Sequence, residues 1–156
     1  QKRNKKGRFA GVPIYVMDTQ AYKDLSPYAK VLLFELAKQY FGNNNGDLVI
    51  TYSILKDRGF KSNTTMYKAR NELYKKGFIV LNAYGGKSYK GRKTPHLYAL
   101  TWANIDELRN KNGEDRYTHY PTGKLPLKYF IKGNNPDFKD AAGIDKQFKI
   151  DVKRVA

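Results

Sequence analysis

The sequence predicts an α+β fold: three helices, an antiparallel hairpin and an extended C-terminal tail. Three observations predict it. Apolar residues recur at helical spacing in two separate stretches, one around Leu33 and one around Ala69. A polar cap residue opens each stretch and a glycine closes it. Two apolar runs, Phe78 to Leu81 and His96 to Trp102, flank a segment dense in glycine and lysine, which is the pattern of a hairpin.

Residues 1–8 (Gln1-Lys2-Arg3-Asn4-Lys5-Lys6-Gly7-Arg8) form a basic arm with nothing to bury. Two compatible readings follow. The arm is a terminus without fixed structure, or Arg3, Lys5, Lys6 and Arg8 neutralise phosphates or enter a minor groove when a nucleic acid is bound. Phe9 to Met17 reads as extended chain, with Pro13 confining it to an edge position.

The first helix opens at Ser26-Pro27. Ser26 caps it and Pro27 fits its first turn, where a missing N–H costs little. Ala29, Leu32, Leu33, Leu36, Ala37 and Tyr40 make one buried stripe, and Gly42 with Asn43-Asn44-Asn45-Gly46 ends it. Leu48-Val49-Ile50 is a short strand or a strand-like entry. Thr51 caps a second helix with Ile54 and Leu55 facing inward, ended by Gly59. Ser62 or Asn63 caps a third, with Met66, Ala69, Leu73 and Tyr74 inside and Gly77 at its left-handed terminus. Residues 85–93 form the hairpin tip. Beyond Trp102, Ile105 to Lys111 reads as a short helix, and 112–156 as a tail with scattered aromatics, packed on the domain or a partner or partly unordered. The expected organisation is an arm over 1–8, a folded unit over 9–102 and the tail over 103–156.

That order of elements is a helix-turn-helix with a wing: three helices plus a two- to three-stranded antiparallel wing. Such a unit needs a first helix that braces the second, a tight turn between them, and polar residues along the exposed side of the second. Lys61, Ser62, Asn63, Thr64, Thr65, Lys68 and Asn71 supply that surface, and by helical spacing 64, 65, 68 and 71 lie opposite the apolar stripe. Asn71 has the groups to pair with adenine, Lys68 to reach guanine or phosphate, and the threonines to touch phosphate or a thymine methyl. Lys61 and the free N–H groups of the helix start suit a phosphate. In the wing, Lys87, Lys90, Arg92 and Lys93 crowd beside Tyr89.

The charge supports a polyanionic partner. Thirty Lys+Arg against fourteen Asp+Glu give a net +16 over 156 residues, beyond what solubility requires. Residues 1–102 hold 19 basic and 6 acidic side chains, net +13, and residues 103–156 hold 11 and 8, net +3. Cysteine is absent, so disulfides, thiolate zinc sites and thiol nucleophiles are excluded. No apolar run approaches the roughly 20 residues of a membrane span, and the basic start leads into no signal-like segment. A soluble, cytoplasmic, nucleoid-associated protein without membrane contact is expected.

Other motifs fail on inspection. Gly86-Lys87-Ser88 needs a glycine five residues before Gly86 to end a phosphate loop, and Leu81 stands there. Asn43 to Asp47 would need Glu at the twelfth position of a calcium loop, which is Tyr52. His96 and His119 are too few and too separated for a metal site or a triad, and no carboxylate cluster points to a nuclease, although convergence of Asp18, Asp24 and Asp47 in the fold stays open. No enzyme activity, metal or cofactor is expected.

The succession Leu25-Ser26, Ala29-Lys30, Leu33, Leu36-Ala37, Tyr40, Gly42, Asn44-Asn45-Gly46, Leu48, then Lys68-Ala69-Arg70, Glu72-Leu73, Gly77-Phe78-Ile79, then Tyr98-Ala99-Leu100-Thr101-Trp102, resembles small winged helix-turn-helix proteins. Those proteins are encoded by bacterial prophages, plasmids and integrative elements. The chain is similar, more distantly, to the N-terminal winged-helix domains of phage and plasmid replication initiators. The resemblance covers residues 9–102 and rests mostly on core and turn positions. It implies a DNA-binding accessory of a mobile element and carries no catalytic residue onto this chain. The basic wing and arm exceed the family pattern.

The expectation is a sequence-specific double-stranded DNA-binding protein that reads the major groove with helix 62–76 and the backbone with wing 85–95. A transcriptional regulator is expected ahead of a replication initiator, since no second folded domain for recruiting partners is legible. A non-specific architectural or RNA-binding basic protein is the alternative, and a purely protein-binding winged helix a further one. The tail 103–156 is the place for a second copy of the chain or another protein.

Overall fold

The computed structural model describes residues 7–87, 93–109, 112–113, 119–123 and 125–138. Among them the chain is mixed α+β, with five α-helices and a two-stranded antiparallel sheet as its main ladder. No helix among the described residues is long and apolar enough to cross a membrane.

The N-terminal stretch departs from the expected extended chain. It folds into two single turns, α1 (Ile14–Met17) and α2 (Gln20–Lys23). Pro13 stands just before the first turn, where its fixed φ is welcome, and Thr19 caps the second by accepting from the Tyr22 N–H. The reason is spacing. Val12 and Val16, four apart, are the buried pair, while Ile14 between them is 76% exposed.

α3 (Pro27–Gln39) opens as expected, with the Ser26 hydroxyl accepting from the Ala29 N–H at 3.2 Å and its stripe buried from Ala29 to Ala37. α4 (Tyr52–Leu55) is one turn only. A single turn points one residue squarely inward, so Leu55 is buried and Ile54 is half exposed, contrary to the inward placing of both. Phe60, fully buried after the Gly59 turn, takes the second inward position. The stretch 48–50 contributes one antiparallel bridge, Leu48 to Tyr98, in place of a strand.

α5 (Asn63–Lys76) packs on α3 and buries Met66, Ala69, Leu73 and Tyr74. It ends at Gly77, whose φ of 87° is a left-handed terminus that sends its N–H back to the Leu73 and Tyr74 carbonyls. A side chain is excluded there for a second reason: a Cβ would lie 2.5 Å from Cβ of Tyr129.

β1 (Ile79–Ala83) pairs antiparallel with β4 (Leu97–Leu100), Val80 opposite Ala99, with a register shift between Leu81 and Ala83. A shorter ladder, β2 (Gly86–Lys87) with β3 (Lys93–Thr94), continues the hairpin outward. Ile79, Leu81, Tyr98 and Leu100 face the main core, with α3 and α5. Val80 and Ala99 face the opposite way, into a second apolar cluster with Ile105, Tyr120, Leu127 and Tyr129.

That second cluster packs the described part of the tail on the domain, one of the expected arrangements, while the short helix expected over Ile105 to Lys111 does not form in its described part. Residues 105–109 are not helical. The chain instead crosses the outer face of the sheet and returns through a 3₁₀ turn (Tyr129–Ile131) that inserts Phe130, fully buried and stacked on Phe78 at 5.7 Å, into the main core. Asn135 fixes the return: its Nδ2 donates to the Tyr74 carbonyl at 3.0 Å. The described part of the tail is a cover for the sheet.

Candidate nucleic-acid interface

α5 separates its residues cleanly. Opposite the buried stripe, Asn63, Thr64, Tyr67, Lys68 and Lys75 are exposed, and Thr65 and Asn71 are half-buried. Of the seven residues expected on this surface, Lys61, Ser62, Asn63, Thr64 and Lys68 are open to solvent. Ser62 and Thr65 are largely engaged with each other. The Ser62 hydroxyl accepts from the Thr65 N–H at 3.2 Å and lies 3.0 Å from the Thr65 hydroxyl, so this pair caps the helix. The Lys61 carbonyl accepts from the Tyr52 hydroxyl at 2.9 Å, which braces the turn against α4.

Asn71 is placed differently from the expectation. Its Oδ1 accepts from both Nε and Nη2 of Arg70, at 3.2 and 3.0 Å. The oxygen needed to accept from adenine is therefore already occupied, and a two-way adenine pairing does not fit this arrangement. Arg70 itself is 8% exposed, with Cζ 4.7 Å from the centre of the Tyr67 ring. It lies beside Tyr98 on β4, whose hydroxyl is pushed up in pKa by burial and pulled back by the Arg70 cation.

The electrostatics of this face follow from one sequestered acid. Residues 60–102 carry nine basic side chains and the single acid Glu72. The Glu72 carboxylate is turned toward Ser26 and accepts from its N–H and hydroxyl. The exposed stripe of α5 thus carries Lys68 and Lys75 with no carboxylate of its own.

In the hairpin, Lys87 and Lys93 pair through their backbones across the β2–β3 ladder. Tyr89, Lys90 and Arg92 lie outside the described residues, as do Arg3, Lys5 and Lys6. Arg8 stacks over the Phe41 ring, 5.7 Å from its centre, beyond the C-terminal end of α3. At the base of the hairpin, Nδ1 of His96 accepts from the Gly85 N–H at 2.9 Å. His119 packs edge-on against Tyr84 and Tyr120.

Sequence reasoning missed Tyr67, Arg70 and Lys75. Tyr67 follows Thr64 by three and precedes Asn71 by four, and Lys75 follows Asn71 by four, so the helical period that selected Thr64, Lys68 and Asn71 also selects them. Arg70 had no such signal, because a charged residue on a buried edge runs against its type.

No protein-family model, no curated protein and no solved structure matches this chain.

Proposed function

We propose that this chain is a winged-helix protein that binds double-stranded DNA sequence-specifically, with α5 in the major groove and the hairpin 85–95 along the flanking backbone. The observation that carries the reading is the face of α5. A 14-residue helix, braced by α3 and capped at Ser62, exposes Thr64, Tyr67, Lys68 and Lys75, while Glu72, the one acid within residues 60–102, is tied to Ser26. A mere solvated face of a helix commonly mixes charge signs, and this one does not. A helix presenting polar and basic residues from a rigid support fits a groove whose edges carry hydrogen-bonding groups and whose rims carry phosphates.

The role as a transcriptional regulator of a mobile element rests on the resemblance of residues 9–102 to small winged-helix proteins of such elements. The net charge of +16 accounts for tight but unselective binding by itself, so selectivity is the property to measure. Selection of duplexes from a random pool by the purified protein at near-physiological salt tests it. A recovered motif, retained against excess random DNA, supports the proposal. Enrichment without a motif, collapsing as salt rises, assigns the protein to non-specific or RNA binding instead.

A further inference from the structure

Resting on the DNA-binding reading above, we infer that Asn71 selects guanine, and that Arg70 sets this preference by fixing the orientation of the Asn71 amide. A guanidinium has five N–H donors and no acceptor. The half of the Asn71 amide that faces Arg70 is therefore the oxygen, and the structure shows it so, with Oδ1 accepting from Nε at 3.2 Å and Nη2 at 3.0 Å. A carbonyl oxygen offers two lone pairs, and both are taken.

What remains of the side chain is Nδ2, with two protons that no acceptor among the described residues receives. Asn71 is half-buried on the exposed side of α5, one turn from Lys68 and one from Lys75. From there it presents donors only. Guanine meets such a group with two acceptors, O6 and N7, and no donor in the major groove. Adenine presents N7 beside an N6 amino group, whose proton would find no free acceptor.

Arg70 is held firmly enough to act as the positioning residue. Arg70 is 8% exposed as a residue, and its Cζ lies over the Tyr67 ring at 4.7 Å. Among the described residues it forms no ion pair with a carboxylate. The Tyr98 hydroxyl beside it adds a second anchor, and among the described residues no carboxylate competes with Asn71 for it.

The test starts from the motif selected by the wild-type chain. The position that becomes degenerate in Asn71→Ala is expected to be guanine, and 7-deazaguanine at that position, which lacks the N7 acceptor, is expected to weaken wild-type binding roughly tenfold. Arg70→Lys, which keeps a donor, is expected to keep guanine, and Arg70→Met, checked for folding by its thermal transition, to admit adenine there. Any base other than guanine at the Asn71-dependent position overturns the inference and leaves DNA binding standing. So does a motif unchanged by Asn71→Ala. A folded Arg70→Met that still excludes adenine removes Arg70 from the account. A pool that yields no motif at all overturns the DNA reading and this inference together. The wild-type and Asn71→Ala arms decide the matter even if Arg70→Met does not fold.

Discussion

The carboxylate of Glu72 accepts two hydrogen bonds from Ser26, one from the backbone N–H at 2.9 Å and one from the hydroxyl at 2.6 Å, across 46 positions of chain. Ser26 in turn accepts from the Ala29 N–H at the start of α3. One acid therefore satisfies two donors at a helix N-terminus, joins α3 to α5, and leaves the exposed stripe of α5 without negative charge.

Removing that acid should loosen the helix pair. Glu72→Ala is expected to cost about 2 kcal/mol of unfolding free energy, since hydrogen bonds to a charged group contribute roughly 1.5–3 kcal/mol net. Urea unfolding measures it. A loss under about 0.5 kcal/mol, the size of an ordinary surface substitution, would show that the pair does not hold the helices together.

The tail should behave as part of the core. Phe130 is fully buried and stacks on Phe78 with the rings 14° apart in plane. Phe130→Ala is expected to cost on the order of 3–5 kcal/mol, as truncating a buried aromatic does. The urea transition should shift as a whole while remaining single. A small early step with the main transition unmoved would mean the segment docks weakly on a unit that is stable alone.

What was legible in the sequence was the short-range part. Ser26 with Pro27, Ser62, and Gly77 mark helix ends by chemistry that acts within a turn, and the stripes they bound are buried as spaced. The failures share a cause. The placing of Ile54, and of Ile14 within an extended Phe9 to Met17, followed local patterns that a single helical turn and the Val12–Val16 pair override. Asn45 is marked by the pattern Asn43-Asn44-Asn45-Gly46 only as a turn residue. It is fully buried, its Nδ2 donating to the Leu100, Ala103 and Asn104 carbonyls and its Oδ1 accepting from the Leu100 N–H, partners more than 50 positions away. The cover formed by Ile105, Tyr120, Leu127 and Tyr129 has no period of its own. Its one signal lay in the strands, since Ile79-Val80-Leu81 and Leu97-Tyr98-Ala99-Leu100 are apolar on both faces and so require packing on both. At the candidate site, periodicity selected the right face of α5 but could not show that the Asn71 oxygen is taken by Arg70.

Alkaline pH should destabilise the fold through its buried tyrosines. The Tyr98 hydroxyl is raised above its ordinary pKa of 10.0, chiefly by burial. Tyr120 is raised by burial and by donating at 2.6 Å to Asp137. The folded chain holds these protons where the unfolded chain releases them, so the stabilisation is intact below pH 10 and declines as pH rises beyond it. The expected slope is up to about 1.4 kcal/mol per pH unit for a fully buried tyrosine, and less for the partly exposed Tyr120, which solvent screens. Denaturant unfolding from pH 8 to about 11 measures it. Tyr120→Phe should flatten the upper end of that curve, and an unchanged slope would remove Tyr120 from the account.

Lys68 and Lys75 separate a groove-facing α5 from a general attraction to polyanions. Both are exposed on the same stripe, seven residues and so two turns apart, about 10 Å along the helix axis. A helix lying in the major groove brings both toward phosphates or base edges. Each of Lys68→Ala and Lys75→Ala should then lower the slope of log affinity against log salt by about 0.9, the value for one lost phosphate contact on duplex DNA. Lys23→Ala, which removes an equally exposed charge on α2, is the matched control. If all three variants change the slope alike, net charge rather than the face of α5 carries the binding. If Lys68 and Lys75 alone change it, α5 meets the duplex directly.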